Sequence, residues 1–560
     1  MSALPVIPRP AATLIPVRDG PNGVEAFMLR RSHLANFAAN AYVFPGGTVD
    51  AADAGAEAIA LCNGLDEDAA NRELDLAAGA LAYRICAVRE CFEEAGLLFA
   101  CDRNGEPVAL DAPVAHEDYL QLRRRLNARE LSFVELCRER GLRLALGQLA
   151  YFGHWITPLG MPRRYDTRFF IGVAPPDQTP LHDGEETVQH LWVEPAIALA
   201  RHRAGDFPLL FATATNLELL SSFANCEALM AHARAAGKTG PHLPRRARGK
   251  SGSRVLGQDD PAYAEVGKLD PEGLGAASSE IVPGTVTVLA PALRRLTAPN
   301  PGMMTGPGTN SYLLGHGGDL AVIDPGPAIQ THVKALLDLA ASLNGRIRWI
   351  LTTHTHLDHS PAAQLLKQAT GAELIGMPPP PFERQDPTFK PERVPAHGER
   401  IELTGCALRA IHTPGHASNH LCYLLEQEKL LFTGDHVMQG STVVINPPDG
   451  EMRAYLASLR ALLEEDLAYL APGHGFLIGQ PHAEIERLLR HRAGRENKIA
   501  EALRRVGPAT LDALLPVAYS DVPARLYPPA SRSLLAHLIK LEAEGSASRD
   551  QHEPARWRMN

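Results

Sequence analysis

The sequence predicts a multidomain protein, mixed α/β and α+β, and three observations carry that reading. At 560 residues the chain is too long for one hydrophobic core and suggests three or so domains. Residues 285–490 alternate strand-like apolar runs with helical patterns, as a sheet covered by helices does. Residues 238–280 change character: KTGPHLPRRARGKSGSR is basic and turn-rich, and DPEGLGAASSE reads as a linker. Hydrophobic content of 45% with charged content of 21% excludes wholesale disorder. Lys+Arg of 55 against Asp+Glu of 64 leaves −9, which argues against a chain made mainly to coat nucleic acid or an anionic membrane.

The elements follow in order. Residues 11–19 and 24–31 alternate as two strands across the turn GPN, and a Gly-Gly turn follows at Phe44-Pro45-Gly46-Gly47. An Ala/Asp/Glu-rich stretch leads to a long helical pattern over 78–95, and a strand at 191–193 and helices over 216–235 complete the first unit. The basic cluster near 245 reads as a solvated linker, with RVLGQDDPAYAEV expected to pack on that first unit. Strands then alternate with helices at 329–342 and 361–369, and CYLLEQ and KLLFTGD form a hairpin. The last part reads as helices at 496–505, 510–516 and 531–544 with a short tail. No apolar run is long enough to span a bilayer, and the start lacks a signal-like segment. The eight Cys form no CxxC and show no disulfide spacing, so they are expected to be reduced thiols of a cytoplasmic protein.

The strongest chemical signal is Thr353-His354-Thr355-His356-Leu357-Asp358-His359, which follows the apolar run WILT and precedes a helix. His354 and His356 alternate, so both can face one cation while Asp358 and His359 turn to a second. Three further groups end strand-like runs: Thr413-Pro414-Gly415-His416, Thr433-Gly434-Asp435 and Pro472-Gly473-His474. Strand ends are where an α/β sheet presents ligands. Imidazoles and carboxylates without thiolate suit Zn²⁺, or Mn²⁺ or Fe in a similar cage. Two such ions can lower the pKa of a water between them and clamp the oxygens that attack and leave.

With these motifs, residues 285–490 closely resemble the metallo-β-lactamase fold, an αββα sandwich. THTHLDH, TPGH, TGD and PGH stand in that family's order, and TGPGTNSYLLG and VIDPG are similar to its opening strands. The resemblance implies His354, His356 and His416 on a first ion, Asp358, His359 and His474 on a second, and Asp435 bridging them, with Asp324 supporting the site. It implies two Zn²⁺ but does not choose a substrate, because thioesterases, lactonases and RNA phosphodiesterases share these ligands. ENKIAEALRRVGPATLDALLP, PARLYP and SRSLLAHLIKLEAEG resemble the winged-helix appendage of the lactamase-beta-like-2 group. The slight basic excess of that unit favours a packing or dimerisation role over nucleic-acid binding.

The second signal is Arg89-Glu90-Cys91-Phe92-Glu93-Glu94-Ala95-Gly96. On a helix, Glu90, Glu93 and Glu94 share one face, and a divalent cation relieves their repulsion. Oxygen ligands alone suit Mg²⁺ or Mn²⁺ on a diphosphate. The pattern resembles the core of the Nudix box, Phe44-Pro45-Gly46-Gly47 its opening turn, and residues 163–170 and 185–195 its later strands, which implies an α/β/α sandwich. Residues 48–88 are far longer than the usual spacing, as in the Nudix branch that contains CoA diphosphatases, and Leu81 stands where the box carries its first Glu.

The expected organisation is therefore a Nudix domain over 8–235, a partly packed linker over 236–282, a lactamase-fold domain over 283–490 and a winged-helix unit over 491–560. The expected activity is bifunctional hydrolysis. Glu90, Glu93 and Glu94 would serve cleavage of a nucleotide or CoA-like diphosphate with Mg²⁺ or Mn²⁺. Asp358 and Asp435, with the five His, would serve cleavage of an ester, thioester or phosphodiester with Zn²⁺. The alternative is an RNA-processing endoribonuclease whose Nudix domain binds a 5′ end or another ligand.

Overall fold

The computed structural model describes residues 6–34, 38–237, 240–403 and 405–560; Lys238 and Thr239 of the basic stretch lie outside the described residues. The chain divides into two compact units. One comprises Met1–Arg246 with Val255–Gln258 and Glu272–Gly275, and the other Ala247–Arg254, Asp259–Pro271 and Ala276–Asn560.

The first unit is built on a seven-stranded sheet. Tyr42–Val43, Gly23–Arg31, Arg9–Gly20, Tyr165–Val173 and Ala150–Ile156 lie in that order, with Gly46–Thr48 on Arg9–Gly20 and Thr187–Val193 on Gly23–Arg31. Arg9–Gly20 runs parallel to Tyr165–Val173 and antiparallel to Gly23–Arg31. Strict alternation gives each strand two apolar faces. Ala12, Leu14, Phe27, Leu29 and Phe170 pack beneath the helix Ala80–Ala95, whose Ile85, Val88 and Phe92 fill the same cluster. Ile15, Val17, Ala26, Met28 and Ile171 pack on the opposite side with Leu199, Leu217 and Leu229. These last come from the helices Pro195–Ala204, Phe211–Leu220 and Cys226–Ala235. The helices expected over 216–235 are two, Phe211–Leu220 and Cys226–Ala235, the first beginning five positions before 216. The layers make an α/β/α sandwich. Ala80–Ala95 ends on Gly96, whose φ of 71° closes the last turn with a hydrogen bond to the Phe92 carbonyl.

The second unit holds two six-stranded sheets. The first runs Val286–Ala290, Leu293–Thr297, Asn310–Leu314, Gly318–Ile323, Gly345–Leu351 and Glu373–Ile375. The second runs Arg400–Leu403, Cys406–His412, Leu421–Leu425, Leu430–Gly434, Tyr469–Pro472 and Ile478–Gly479. Tyr312, Ile323 and Leu351 of the first sheet meet Leu408, Tyr423 and Phe432 of the second in one apolar layer. Gln330–Ser342 and Ala362–Thr370 cover the first sheet's outer face, and Met452–Leu462 covers that of the second. The result is an αββα sandwich.

The C-terminal part differs from expectation in two respects. Pro481–Val506 is one helix of 26 residues, so it runs through 490–491 without a break. The tail forms a two-stranded ribbon, Ala547–Arg549 with Trp557–Met559, and Trp557 enters the cluster of Leu503, Leu514, Leu534 and Leu538. Helices plus this ribbon give a winged-helix arrangement. Among the described residues no helix is long and apolar enough to cross a membrane. All eight Cys are unpaired thiols, and six are buried.

Part of the expected linker belongs to the second unit and not to the first. Glu265, on the helix Tyr263–Leu269, accepts hydrogen bonds from Arg295 Nη1 and Nη2 at 2.6 and 2.9 Å and from the Leu477 N–H at 2.9 Å. Both side chains are nearly inaccessible. Glu265→Ala leaves the guanidinium buried and unpaired, so it is expected to destabilise the second unit by about 3–5 kcal/mol. Urea unfolding followed by fluorescence checks this, with Arg295→Met in the Glu265→Ala background recovering much of the loss.

Candidate metal centres

In the second unit the strand ends bring the histidines and aspartates together. His354, His356 and His416 offer ligand atoms that all lie within 4.8 Å of one another, and so do Asp358, His359, Asp435 and His474. In the first set, His354 Nε2 and His416 Nε2 stand 2.9 and 3.0 Å from His356 Nδ1. In the second, Asp435 Oδ1 lies 3.4 Å from His359 Nε2 and 3.3 Å from His474 Nε2. Asp358 Oδ2 lies 3.6 and 3.4 Å from the same two nitrogens. The other oxygen of Asp435 faces His416 Nε2 at 3.8 Å, so this carboxylate reaches both sets.

The outer nitrogens are held by acceptors, which fixes the tautomers. His359 Nδ1 donates to Asp324 Oδ2 at 2.9 Å, His416 Nδ1 to the Val444 carbonyl at 2.9 Å and His474 Nδ1 to the Gly308 carbonyl at 3.2 Å. His354 Nδ1 donates to Thr353 Oγ1 at 3.0 Å, and that hydroxyl donates to Asp324 Oδ2 at 2.8 Å. His354, His359, His416 and His474 therefore aim their other ring nitrogens inward, as metal-binding imidazoles do. His359 Nε2, His474 Nε2 and Asp435 Oδ1 are buried without a hydrogen-bond partner, which a cation would supply. The residues fit divalent metal.

Burial first, then the neighbouring imidazoles, hold His354 well below its usual range and bring His356 down to about 3. Burial also opposes charge on His359 and His474, but carboxylates prevail. Asp358, Asp435 and Asp324 hold His359 well above its usual range, and Asp435 with Asp358 raises His474 to about 9. Two further imidazoles back the cage. His420 lies 5.1 Å from the His354 ring, centroid to centroid, and His436 lies 5.6 Å from His420. Neither lies in a motif that marks it in the sequence. Gly473 is required by space, because a Cβ there would sit 2.6 Å from His359 Cε1 and 2.7 Å from Asp435 Oδ1.

In the first unit the glutamates converge in part. Arg89 Nη1 donates to Glu90 Oε1 at 2.8 Å and to Glu93 Oε2 at 3.0 Å, while Glu94 Oε2 accepts from the Gly46 N–H at 3.0 Å. The three do not form a set with all ligand atoms within 4.8 Å; among the described residues only the two sets above do. Gly47 presses on Glu90, since a Cβ there would lie 2.4 Å from Oε1. Burial raises all three carboxyls: Glu90 above its usual range, Glu93 to about 7 and Glu94 well above. Oxygen donors in this under-compensated state suit a hard divalent cation. They line a cleft of about 1800 Å³ with Arg31, Arg163, Trp155 and Phe211. Glu185 and Glu186 also line it, and Glu186 stands 3.9 Å from Arg31. Leu81 is 2% exposed in the apolar cluster beneath the sheet, so that position offers no ligand. Asp53, from the inserted stretch, pairs with Arg89; nothing in the local sequence marks it.

Comparison with known proteins agrees with this layout. Residues 304–474 match the metallo-beta-lactamase superfamily, residues 66–210 the NUDT19 Nudix domain, and residues 510–557 the beta-lactamase associated winged helix domain. The beta-lactamase-like protein 2 homolog of Drosophila melanogaster is 32% identical over 274 residues, which span 46% of this chain and 91% of that protein. The chain belongs to the metallo-β-lactamase superfamily. This superfamily member is also 28% identical over 274 residues to the atrochrysone carboxyl ACP thioesterase of Aspergillus fumigatus, across 46% of this chain and 83% of that one. A NUDIX hydrolase structure from Alicyclobacillus acidocaldarius shares 30% identity, covering 41% of this chain and 97% of that one, with a TM-score of 0.34. The metallo-β-lactamase and Nudix domains together make the chain a metal-dependent hydrolase.

Glu93 gives a pH signature. Below about 7 the folded chain keeps a proton on Glu93 that the unfolded chain releases above about 4.5. In chelator, the contribution of Glu93 to stability is therefore expected to grow as pH falls from about 7 to about 4.5. Mg²⁺ competes with that proton and should flatten the rise, and Glu93→Gln should remove this part of the slope. Calorimetric melts of the full chain at several pH values check both.

Proposed function

We propose that the chain is a bifunctional hydrolase, with two Zn²⁺ in the lactamase-fold domain and Mg²⁺ or Mn²⁺ in the Nudix domain. The observation that carries the first half is Asp435, one carboxylate with an oxygen toward each imidazole set. His354, His356 and His416 would hold one Zn²⁺, Asp358, His359 and His474 the other, and Asp435 both. Bound there, the cations would act as Lewis acids on a scissile carbonyl and on water. The protein's own part is positional. Asp324 and Thr353 orient His359 and His354. Asp358, 30% exposed while the His359 and His474 side chains are buried, turns Oδ2 toward those imidazoles, and its other carboxylate oxygen would orient the attacking water. The substrate class we assign is an ester or thioester, and the fungal relative named as an acyl-carrier thioesterase supports that choice.

In the Nudix domain, Glu90, Glu93 and Glu94 would hold Mg²⁺ or Mn²⁺ against a diphosphate. Arg31 and Arg163 of the same cleft would bind phosphate oxygens, and Trp155 and Phe211 an apolar or aromatic group beyond them. The substrate class is a nucleotide or CoA-like diphosphate.

Chromatography of thioesters and diphosphates incubated with the purified chain tests both halves. His356→Ala is expected to cut ester or thioester hydrolysis by at least the roughly 10–100-fold that loss of a ligand's supporting partner costs, leaving diphosphate cleavage intact. Glu93→Gln with Glu94→Gln is expected to do the reverse. Intact substrates with both metals present, or both activities lost to one variant, would contradict the proposal.

A further inference from the structure

Arg89 has every donor committed. Its Nε donates to Asp53 Oδ1 and its Nη2 to Asp53 Oδ2, both at 2.9 Å, and Nη2 also donates to the Thr48 carbonyl at 3.1 Å. Nη1, on the opposite corner, donates to Glu90 and Glu93. Asp53 is itself 3% exposed at its side chain and fixed, because Oδ2 also accepts from the Asp50 N–H at 2.9 Å. A guanidinium is planar and rigid, so a bidentate grip on Nε and Nη2 decides where Nη1 points. Glu90 and Glu93, one helical turn apart, share that one nitrogen and are thereby drawn together. Asp53 lies in the long stretch that precedes the glutamate helix, while position 81 inside that helix is a buried Leu.

We propose that Asp53 is the positioning residue of the Nudix-domain cation site: by clamping Arg89 it sets where the Glu90 and Glu93 oxygens stand. This rests on reading the glutamates as a cation site. Without Asp53, the buried guanidinium has unpaired N–H groups at Nε and Nη2. Asp50 Oδ2, 3.8 Å from Nη2, is 65% exposed, so the partly buried Glu90 and Glu93, already bonded to Nη1, draw the guanidinium toward themselves. Their oxygens are then held by Arg89 and withdrawn from the cation. The long stretch before the helix thus acts as the rear wall of the site.

The test uses the full chain preloaded with Zn²⁺, so that added Mn²⁺ reports the glutamates, and measures free Mn²⁺ by electron paramagnetic resonance. Asp53→Asn is expected to weaken Mn²⁺ binding by roughly 10–100-fold and to leave His356-dependent hydrolysis unchanged. Asp53→Glu, which keeps both acceptors, is expected to restore part of the affinity. In an Arg89→Lys background, Asp53→Asn is expected to add little, because the clamp acts through the guanidinium. Wild-type Mn²⁺ affinity in folded Asp53→Asn, or full additivity with Arg89→Lys, would overturn the proposal. Where Asp53→Asn melts below assay temperature, Arg89→Lys alone decides: wild-type affinity there would overturn it. A wild-type chain whose Mn²⁺ binding is indifferent to Glu93→Gln with Glu94→Gln would overturn the cation-site reading itself, a result distinct from either of these.

Discussion

Buried carboxylates that have too few positive partners are the constraint on which both units depend. In the second unit Asp324, Asp358 and Asp435 crowd His359 and His474, which holds both imidazoles above their usual range. In the first unit, among the described residues, Arg89 is the one cation bonded to Glu90, Glu93 and Asp53 together, and burial holds the glutamates above their usual range. A divalent cation meets the same demand with no proton. Each fold therefore carries stored electrostatic cost that ligand binding releases, so binding and stability are linked.

The rest of each unit holds these groups in place. Asp324 adopts a φ of 49°, a conformation that side-chain-bearing residues rarely take. It is kept there by the Thr353 N–H at 2.7 Å, the Thr353 hydroxyl and His359 Nδ1. Strain at a buried residue that aims a ligand is the kind a surrounding structure must over-determine. The sandwich does so by ending Gly345–Leu351, Cys406–His412, Leu430–Gly434 and Tyr469–Pro472 just before the residues that form the cage. In the first unit the same duty falls on a single helix and on the short strand Gly46–Thr48 packed against it.

What could be read from the sequence follows from where each signal lies. HxHxDH, TPGH, TGD and PGH are short motifs closing apolar runs, so residue type, spacing and strand end coincide within a few positions. The glutamates share a helical face, so their grouping was legible too, although the structure brings them together less fully than the histidines. Asp53 was not legible: it lies 36 positions before Arg89 in an Ala/Asp-rich stretch with no periodicity. Glu265 was assigned to a segment expected against the first unit, because a basic, turn-rich surrounding hides one buried carboxylate whose partner is 30 positions away. The continuous helix Pro481–Val506 was seen only at its C-terminal end, since its first half packs with the lactamase-fold helices and its second half with the winged helix. Local patterns fix elements; pairings at long range are decided by packing and charge.

On this reading one chain would hold two chemically distinct cation sites. The measurement that tests it most directly is anomalous diffraction from crystals grown with Zn²⁺ and Mn²⁺, collected on both sides of each absorption edge. Two zinc peaks are expected among His354, His356, His416, Asp358, His359, Asp435 and His474, and a manganese peak at Glu90, Glu93 and Glu94. Zinc absent from the histidine cage, or manganese absent from the glutamate helix with its carboxylates still paired to Arg89, would contradict it.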